Sequence, residues 1–152
     1  KMIHIKDNSL TDSDIEKLKR IYINQNWEVF DQTNLTVIPP TNEIVQKIKN
    51  SINSDINNKF TEFNEVDYSQ VIIYPQGSSK NFHLDTASEK TTGTSVTFLN
   101  DDFIGGEAVI EGVQIAPIKG RTYYMDGKVY KHAVLNVIKG ARFTLTSWYK
   151  KD

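Results

Sequence analysis

Val66-Asp67-Tyr68-Ser69-Gln70-Val71-Ile72-Ile73-Tyr74, closed by Pro75-Gln76-Gly77, is the stretch on which the reading of the fold turns. It is rich in β-branched and aromatic residues and ends in strong chain-turning residues, the composition of a strand followed by a turn. The same grammar repeats to the end of the chain. Short runs rich in Val, Ile, Thr, Tyr and Phe occupy 81–85, 94–99, 107–116, 121–125, 132–138 and 141–149. Asn100-Asp101-Asp102, Gly105-Gly106, Lys119-Gly120 and Lys139-Gly140 separate them. Seven or eight short strands at this spacing predict a double-sheet jelly roll or a small barrel.

Upstream of residue 65 the periodicity is helical. Thr11 and Asp14 form the pattern of a capping box ahead of Ile15, Leu18, Ile21 and Tyr22, which share one helical face. Pro39-Pro40 breaks the chain, and Thr41 is positioned to cap a second helix carrying Ile44, Val45, Ile48, Ile52 and Ile56 at three- and four-residue steps. Met2-Ile3-His4-Ile5 reads as a short strand, and the Asn/Ser-rich residues 50–58 as a place where the helix frays. The expected class is mainly β (α+β). It is read as a single domain over 1–152, with an N-terminal strand and supporting helices over 1–65 and a β-sandwich-like core over 66–152.

Bulk properties narrow the function. The 152 residues are 38% hydrophobic and 24% charged, with a formal net charge of −1, which gives no footprint for bulk attraction to nucleic acid or membrane. There are no cysteines, so any metal must be held by nitrogen and oxygen. No apolar run approaches the roughly 20 residues that span a bilayer. No signal-peptide h-region stands out, and the expected location is cytosolic.

Of the chain's three histidines, two lie in the strand-rich part. His83-Leu84-Asp85 projects an imidazole and a carboxylate to one face if the backbone is extended. His132 opens a later predicted strand that a jelly roll brings alongside. Two imidazoles and one carboxylate leave three positions of an octahedral ion open, the facial set of non-haem iron(II) oxygenases. Taken alone, His-x-Asp is a weak signal that occurs by chance in many chains and more readily describes a surface histidine beside a solvated aspartate. Arg142 adds a second signal ten residues after His132, because a guanidinium suits bidentate recognition of a carboxylate and is costly to bury without one. On a surface it would merely form an ion pair.

From Tyr74 to Tyr149 the chain resembles the prolyl-4-hydroxylase-like branch of the 2-oxoglutarate/iron(II) oxygenases. The resemblance is carried by Tyr74-Pro75-x-Gly77, Phe82-His83-Leu84-Asp85, Thr97-Phe98-Leu99-Asn100, Phe103-x-Gly105-Gly106-Glu107 and Ala116-Pro117-x-x-Gly120. It continues through Lys131-His132-Ala133-Val134, Gly140-Ala141-Arg142 and Ser147-Trp148-Tyr149. Each piece is short; their shared order and spacing make the pattern specific.

The resemblance implies a double-stranded β-helix with iron(II) held by His83, Asp85 and His132. It implies 2-oxoglutarate as cosubstrate, its far carboxylate on Arg142, with O2 as oxidant and ascorbate as a reductant. Tyr74, Thr144 and Trp148 are the further candidate cosubstrate contacts; Tyr74 reads equally as a half-buried strand aromatic, and Thr144 and Trp148 read more readily as strand packing. Phe98 departs from relatives that place a tyrosine there as a second carboxylate partner, leaving Arg142 to rely on Thr144, Tyr74 or water. The implied reaction is hydroxylation of a C–H bond, of a prolyl residue in a peptide or protein. Ser78–Lys80, Thr86–Thr92 and Asp126–Lys131 are the loops placed to meet it. The alternatives are a cupin-like metalloenzyme or isomerase that does not use 2-oxoglutarate, a non-catalytic binding module, and an oxygenase of a small molecule or nucleic-acid base. Base demethylases carry a second arginine where this chain has Trp148.

Overall fold

The computed structural model describes residues 3–55, 65–86 and 88–150. The N-terminal part forms β1 (Ile3–Lys6), α1 (Asp12–Tyr22), β2 (Glu28–Phe30), β3 (Thr33–Ile38) and α2 (Glu43–Asp55). The strand-rich part begins with β4 (Glu65–Tyr74), β5 (Lys80–His83), β6 (Thr91–Phe98), β7 (Ile104–Gly105) and β8 (Ala108–Ile110). It ends with β9 (Val113–Ile115), β10 (Thr122–Met125), β11 (His132–Val134), β12 (Val137–Lys139) and β13 (Arg142–Lys150).

These strands make a seven-stranded antiparallel sheet in the order β1-β10-β6-β13-β4-β3-β2 and a four-stranded sheet in the order β5-β11-β8-β9. A small ribbon pairs β12 with β7. Apolar groups of both larger sheets meet in one core. Val96, Phe98, Tyr123 and Met125 come from the first sheet, and Ala108, Ile110 and Ile115 from the second. This is the jelly roll expected from the strand spacing.

The two-residue period of the strands separates two environments. On β13, Leu145 and Tyr149 join the helices, while Arg142, Thr144, Thr146 and Trp148 line a cavity on the opposite face. On β4, Val71 faces the helices, and Gln70, Ile72 and Tyr74 face the cavity. Ile15, Leu18 and Tyr22 of α1 pack there with Ile44, Val45, Ile48 and Ile52 of α2. The helices therefore cover the outer face of the large sheet and leave its inner face for the site.

Several local expectations are revised. Residues 28–38, inside the part read as helical, form the β2–β3 hairpin that extends the large sheet beyond β4. Its turn lacks glycine: Asp31 adopts φ 55°, a conformation aspartate tolerates, so the usual hairpin signal is missing. The Thr11/Asp14 capping box forms as read. The second helix is capped by Asn42, whose Oδ1 accepts from the amides of Ile44 (2.8 Å) and Val45 (3.2 Å), rather than by Thr41. Ile21 is exposed, unlike its neighbours Ile15, Leu18 and Tyr22. Run 107–116 folds back at Glu111-Gly112 into β8 and β9, and run 132–138 divides into β11 and β12. Met2 and Ile56 lie outside the described residues.

A candidate metal centre and its cavity

His83 and His132 are direct cross-strand partners on β5 and β11, which places both imidazoles on one face of the small sheet. Their ring centroids are 4.2 Å apart. In each, Nδ1 lies 2.8 Å from a backbone carbonyl two residues earlier, of Asn81 and Tyr130 respectively. A carbonyl oxygen can only accept, so Nδ1 carries the proton and donates it. Nε2 of both rings is turned to the Asp85 carboxylate, and on loss of its proton it offers a lone pair, the arrangement found behind metal-binding histidines.

Asp85 comes from a different local structure than expected. The β5 strand stops at His83, and the backbone leaves the ladder; the Asp85 amide instead donates to the carbonyl of Gly127 at 2.7 Å. That bond turns the carboxylate toward the histidines. Oδ1 lies 3.5 Å from His83 Nε2 and 3.1 Å from His132 Nε2. Oδ2 accepts from Thr94 Oγ1 (2.8 Å) and Trp148 Nε1 (3.3 Å), so one oxygen is held by the large sheet while the other points at the imidazoles. A Cβ at residue 127 would sit 2.3 Å from Oδ2, which is why glycine suits that position.

Burial pushes the Asp85 carboxyl up, but hydrogen bonds from His132 and His83 outweigh it and hold the group well below the usual carboxylate range. The hydrogen bond that His83 donates to the Asp85 carboxylate raises the imidazole above its ordinary value, against the effect of burial. One ligand atom from each of the three side chains lies within 4.8 Å of the other two. Two nitrogen lone pairs and one carboxylate oxygen on a single face are a donor set that fits iron(II).

The triad lines a cavity of about 710 Å³, which Arg142 also lines. Arg142 is 1% exposed. Its Nε donates to the Gly106 carbonyl at 2.8 Å, and its guanidinium lies 4.9 Å from the Tyr74 ring centroid and 5.0 Å from that of Phe98. Gly106 has φ 68°, and a Cβ there would press on Arg142 Cδ at 3.1 Å. Arg142 Nη2 and Thr144 Oγ1 are buried with no hydrogen-bond partner. An orphaned guanidinium nitrogen beside an orphaned hydroxyl fits the carboxylate of a cosubstrate.

All seven residues read from the sequence therefore line one cavity. Tyr74 supports the guanidinium through its ring face, Thr144 offers its hydroxyl, and Trp148 holds Asp85 and stacks on Tyr68 with centroids 4.4 Å apart. Sequence reasoning passed over Thr94, Tyr68 and Tyr123. Strand alternation carried a signal for Tyr123, since one of Tyr123 and Tyr124 must face inward. Asn100 also acquires a physical role: its side chain donates to the Ala141 carbonyl (2.8 Å) and accepts from the Phe143 amide (2.9 Å), clamping the start of β13 beside Arg142.

Known structures of the same shape include a prolyl-4-hydroxylase from Pseudomonas putida, with a TM-score of 0.78 and 18% identity over 99% of this chain and 92% of that one. A viral collagen prolyl hydroxylase from Paramecium Bursaria Chlorella virus-1, in complex with 2OG, gives 0.78 and 21% over 100% and 97%. A prolyl hydroxylase from Trichoplax adhaerens, bound to a peptide fragment of the hypoxia inducible factor oxygen degradation domain, gives 0.79 and 17% over 98% and 83%. At such identities the likeness speaks to the fold. No curated protein matches the sequence. The family model of the 2OG-Fe(II) oxygenase superfamily matches residues 69–150, more than half of the chain and the part that contains the triad and Arg142. The chain belongs to that superfamily and is a 2-oxoglutarate-dependent dioxygenase, with Fe(II), 2-oxoglutarate and O2 as its cofactors and cosubstrates.

Proposed function

We propose that His83, Asp85 and His132 hold the iron, that Arg142 anchors the far carboxylate of 2-oxoglutarate, and that the enzyme hydroxylates a prolyl residue of a peptide or protein. The observation that carries this reading is that the triad and the orphaned Arg142 guanidinium line the same cavity. Bound iron and 2-oxoglutarate supply the oxidation, in which O2 converts 2-oxoglutarate to succinate and CO2 and hydroxylates a C–H bond. The protein's own contribution is positioning and exclusion of water. The Asn81 and Tyr130 carbonyls fix the imidazole tautomers, Thr94 and Trp148 fix Asp85, and Ile72, Val96, Met125 and Val134 give the cavity apolar walls.

Three features support a prolyl substrate: the family resemblance, the prolyl hydroxylases among the similar folds, and the rim. Phe30 and Leu84 line the cavity yet remain exposed, and the stacked Tyr68–Trp148 pair adds aromatic surface beside Asp85. Such surfaces favour a compact apolar ring over a charged group. A cytosolic setting belongs to the same proposal; among the described residues no helix is long and apolar enough to cross a membrane.

The test is succinate release with iron(II), 2-oxoglutarate and ascorbate, run against proline-containing peptides with mass spectrometry of the products. Wild type should release succinate and add one oxygen to proline, and Asp85→Ala should lose iron binding and both products. Undiminished turnover in Asp85→Ala would sink the ligand assignment. Oxidation confined to non-prolyl compounds would sink the substrate assignment.

A further inference from the structure

We propose that Tyr123 is a carboxylate-binding residue, its phenol hydrogen-bonding the far carboxylate of 2-oxoglutarate alongside Arg142 and Thr144. This rests on the reading that Arg142 anchors that carboxylate. A carboxylate presents about four acceptor sites, and each left empty in a dry pocket costs affinity. Arg142 Nη2 and Thr144 Oγ1 are the orphaned donors. Phe98, under the guanidinium, can donate nothing. The Tyr74 ring lies beneath Arg142 with its face turned to the cation.

Tyr123 is placed to fill the gap from the neighbouring strand. It lies on β10 opposite Val96 of β6, two residues from Phe98 on the same face, and its ring centroid is 5.9 Å from that of Phe98. It is 4% exposed and lines the cavity with Arg142 and Thr144. Burial pushes its phenol up, which keeps it protonated; the charge of Arg142 and a side-chain hydrogen bond from Arg142 pull the other way. A guanidinium only donates, so it cannot take the phenol proton, which the phenol can offer to an anion. A buried, protonated phenol lining the same cavity as the anchoring arginine is a donor placed for an anion.

The experiment measures ligand binding to the Fe(II)-loaded protein without oxygen, by the absorption of the metal–2-oxoacid chelate. The probes are 2-oxoglutarate and 2-oxobutyrate, which lacks the far carboxylate. Tyr123→Phe should weaken 2-oxoglutarate on the order of tenfold and leave 2-oxobutyrate within about twofold of wild type. Under turnover, KM for 2-oxoglutarate should rise more than kcat falls. Phe98→Tyr added to Tyr123→Phe should restore most of the loss, because it returns a hydroxyl to the same end of the cavity. Tyr123→Met gives a second hydroxyl-free side chain should Phe pack poorly. Loss of both ligands alike, loss of neither, or a double variant no better than Tyr123→Phe overturns the proposal. A wild type that binds the two oxoacids equally would overturn the Arg142 anchor itself.

Discussion

Arg142 carries a full charge at 1% exposure, with no acidic side chain paired to it among the described residues. Burying a charge in this way is destabilising unless an anion meets it. Gly106 and two aromatic faces offset only part of that cost. Arg142→Met should therefore act in two directions. Without ligand the variant should melt at a higher temperature than wild type, because an uncompensated buried cation is gone. Its affinity for 2-oxoglutarate should fall by at least about 30-fold, the consequence of removing one side of a buried charge pair. Thermal unfolding and oxoacid titration on the same preparations check both signs. At this scale His83, Asp85, His132 and Arg142 were legible because their chemistry is unusual for strands. Tyr123 was not, since a tyrosine in a strand is ordinary until its neighbours are known.

At the level of elements, each part of the site depends on how a strand begins or ends. β5 terminates so that Asp85 can bond Gly127 instead of a ladder partner, and Asn100 clamps the start of β13 so that Arg142 enters the cavity. The helices serve the site indirectly by covering the other face of the same sheet. α2 depends on its Asn42 cap. Asn42→Ala should cost about 1 kcal/mol of global stability. Urea unfolding should show a lower midpoint with an unchanged m value. The Thr11–Asp14 box was readable because both partners sit in one local pattern. The Thr41/Asn42 choice and the β2–β3 hairpin were not. Two neighbouring polar residues can each cap, and a turn built on Asp31 leaves no glycine to mark it.

In the whole molecule the triad ties two sheets together. His83 and His132 stand on the four-stranded sheet, while Asp85 is gripped by Thr94 and Trp148 of the seven-stranded one. In the metal-free protein these contacts add stability that depends on pH. The Asp85 group is depressed, so its contribution is present above the ordinary value of 3.8 and is lost as pH falls through the folded value. The His83 group is raised, so its contribution is fully present below the ordinary value of 6.5 and is lost as pH rises through the folded value. Both act fully only between about pH 3.8 and 6.5. Asp85→Asn should lower the stability of metal-free protein most inside that window and less on either side. Added iron(II) or manganese(II) should show the opposite trend, stabilising wild type more as pH rises above 6.5, because metal binding needs neutral imidazoles. Melting curves across pH, with and without metal, separate the two.

The sequence by itself determined the fold class and the family and named a candidate donor set, because each is written in local chemistry. Two-residue alternation from Val66 onward specifies strands, two imidazoles and a carboxylate specify a nitrogen and oxygen metal site, and Arg142 asks for an anion. Tertiary structure decided how those groups meet. His83 faces His132 through strand pairing between distant segments, Asp85 turns in on a bond to Gly127, and Tyr123 shares the cavity with Arg142 from two strands away. None of these is a property of a local stretch. Each depends on the register between strands far apart in the chain, and a register is fixed only when both faces of a sheet have found what they bury.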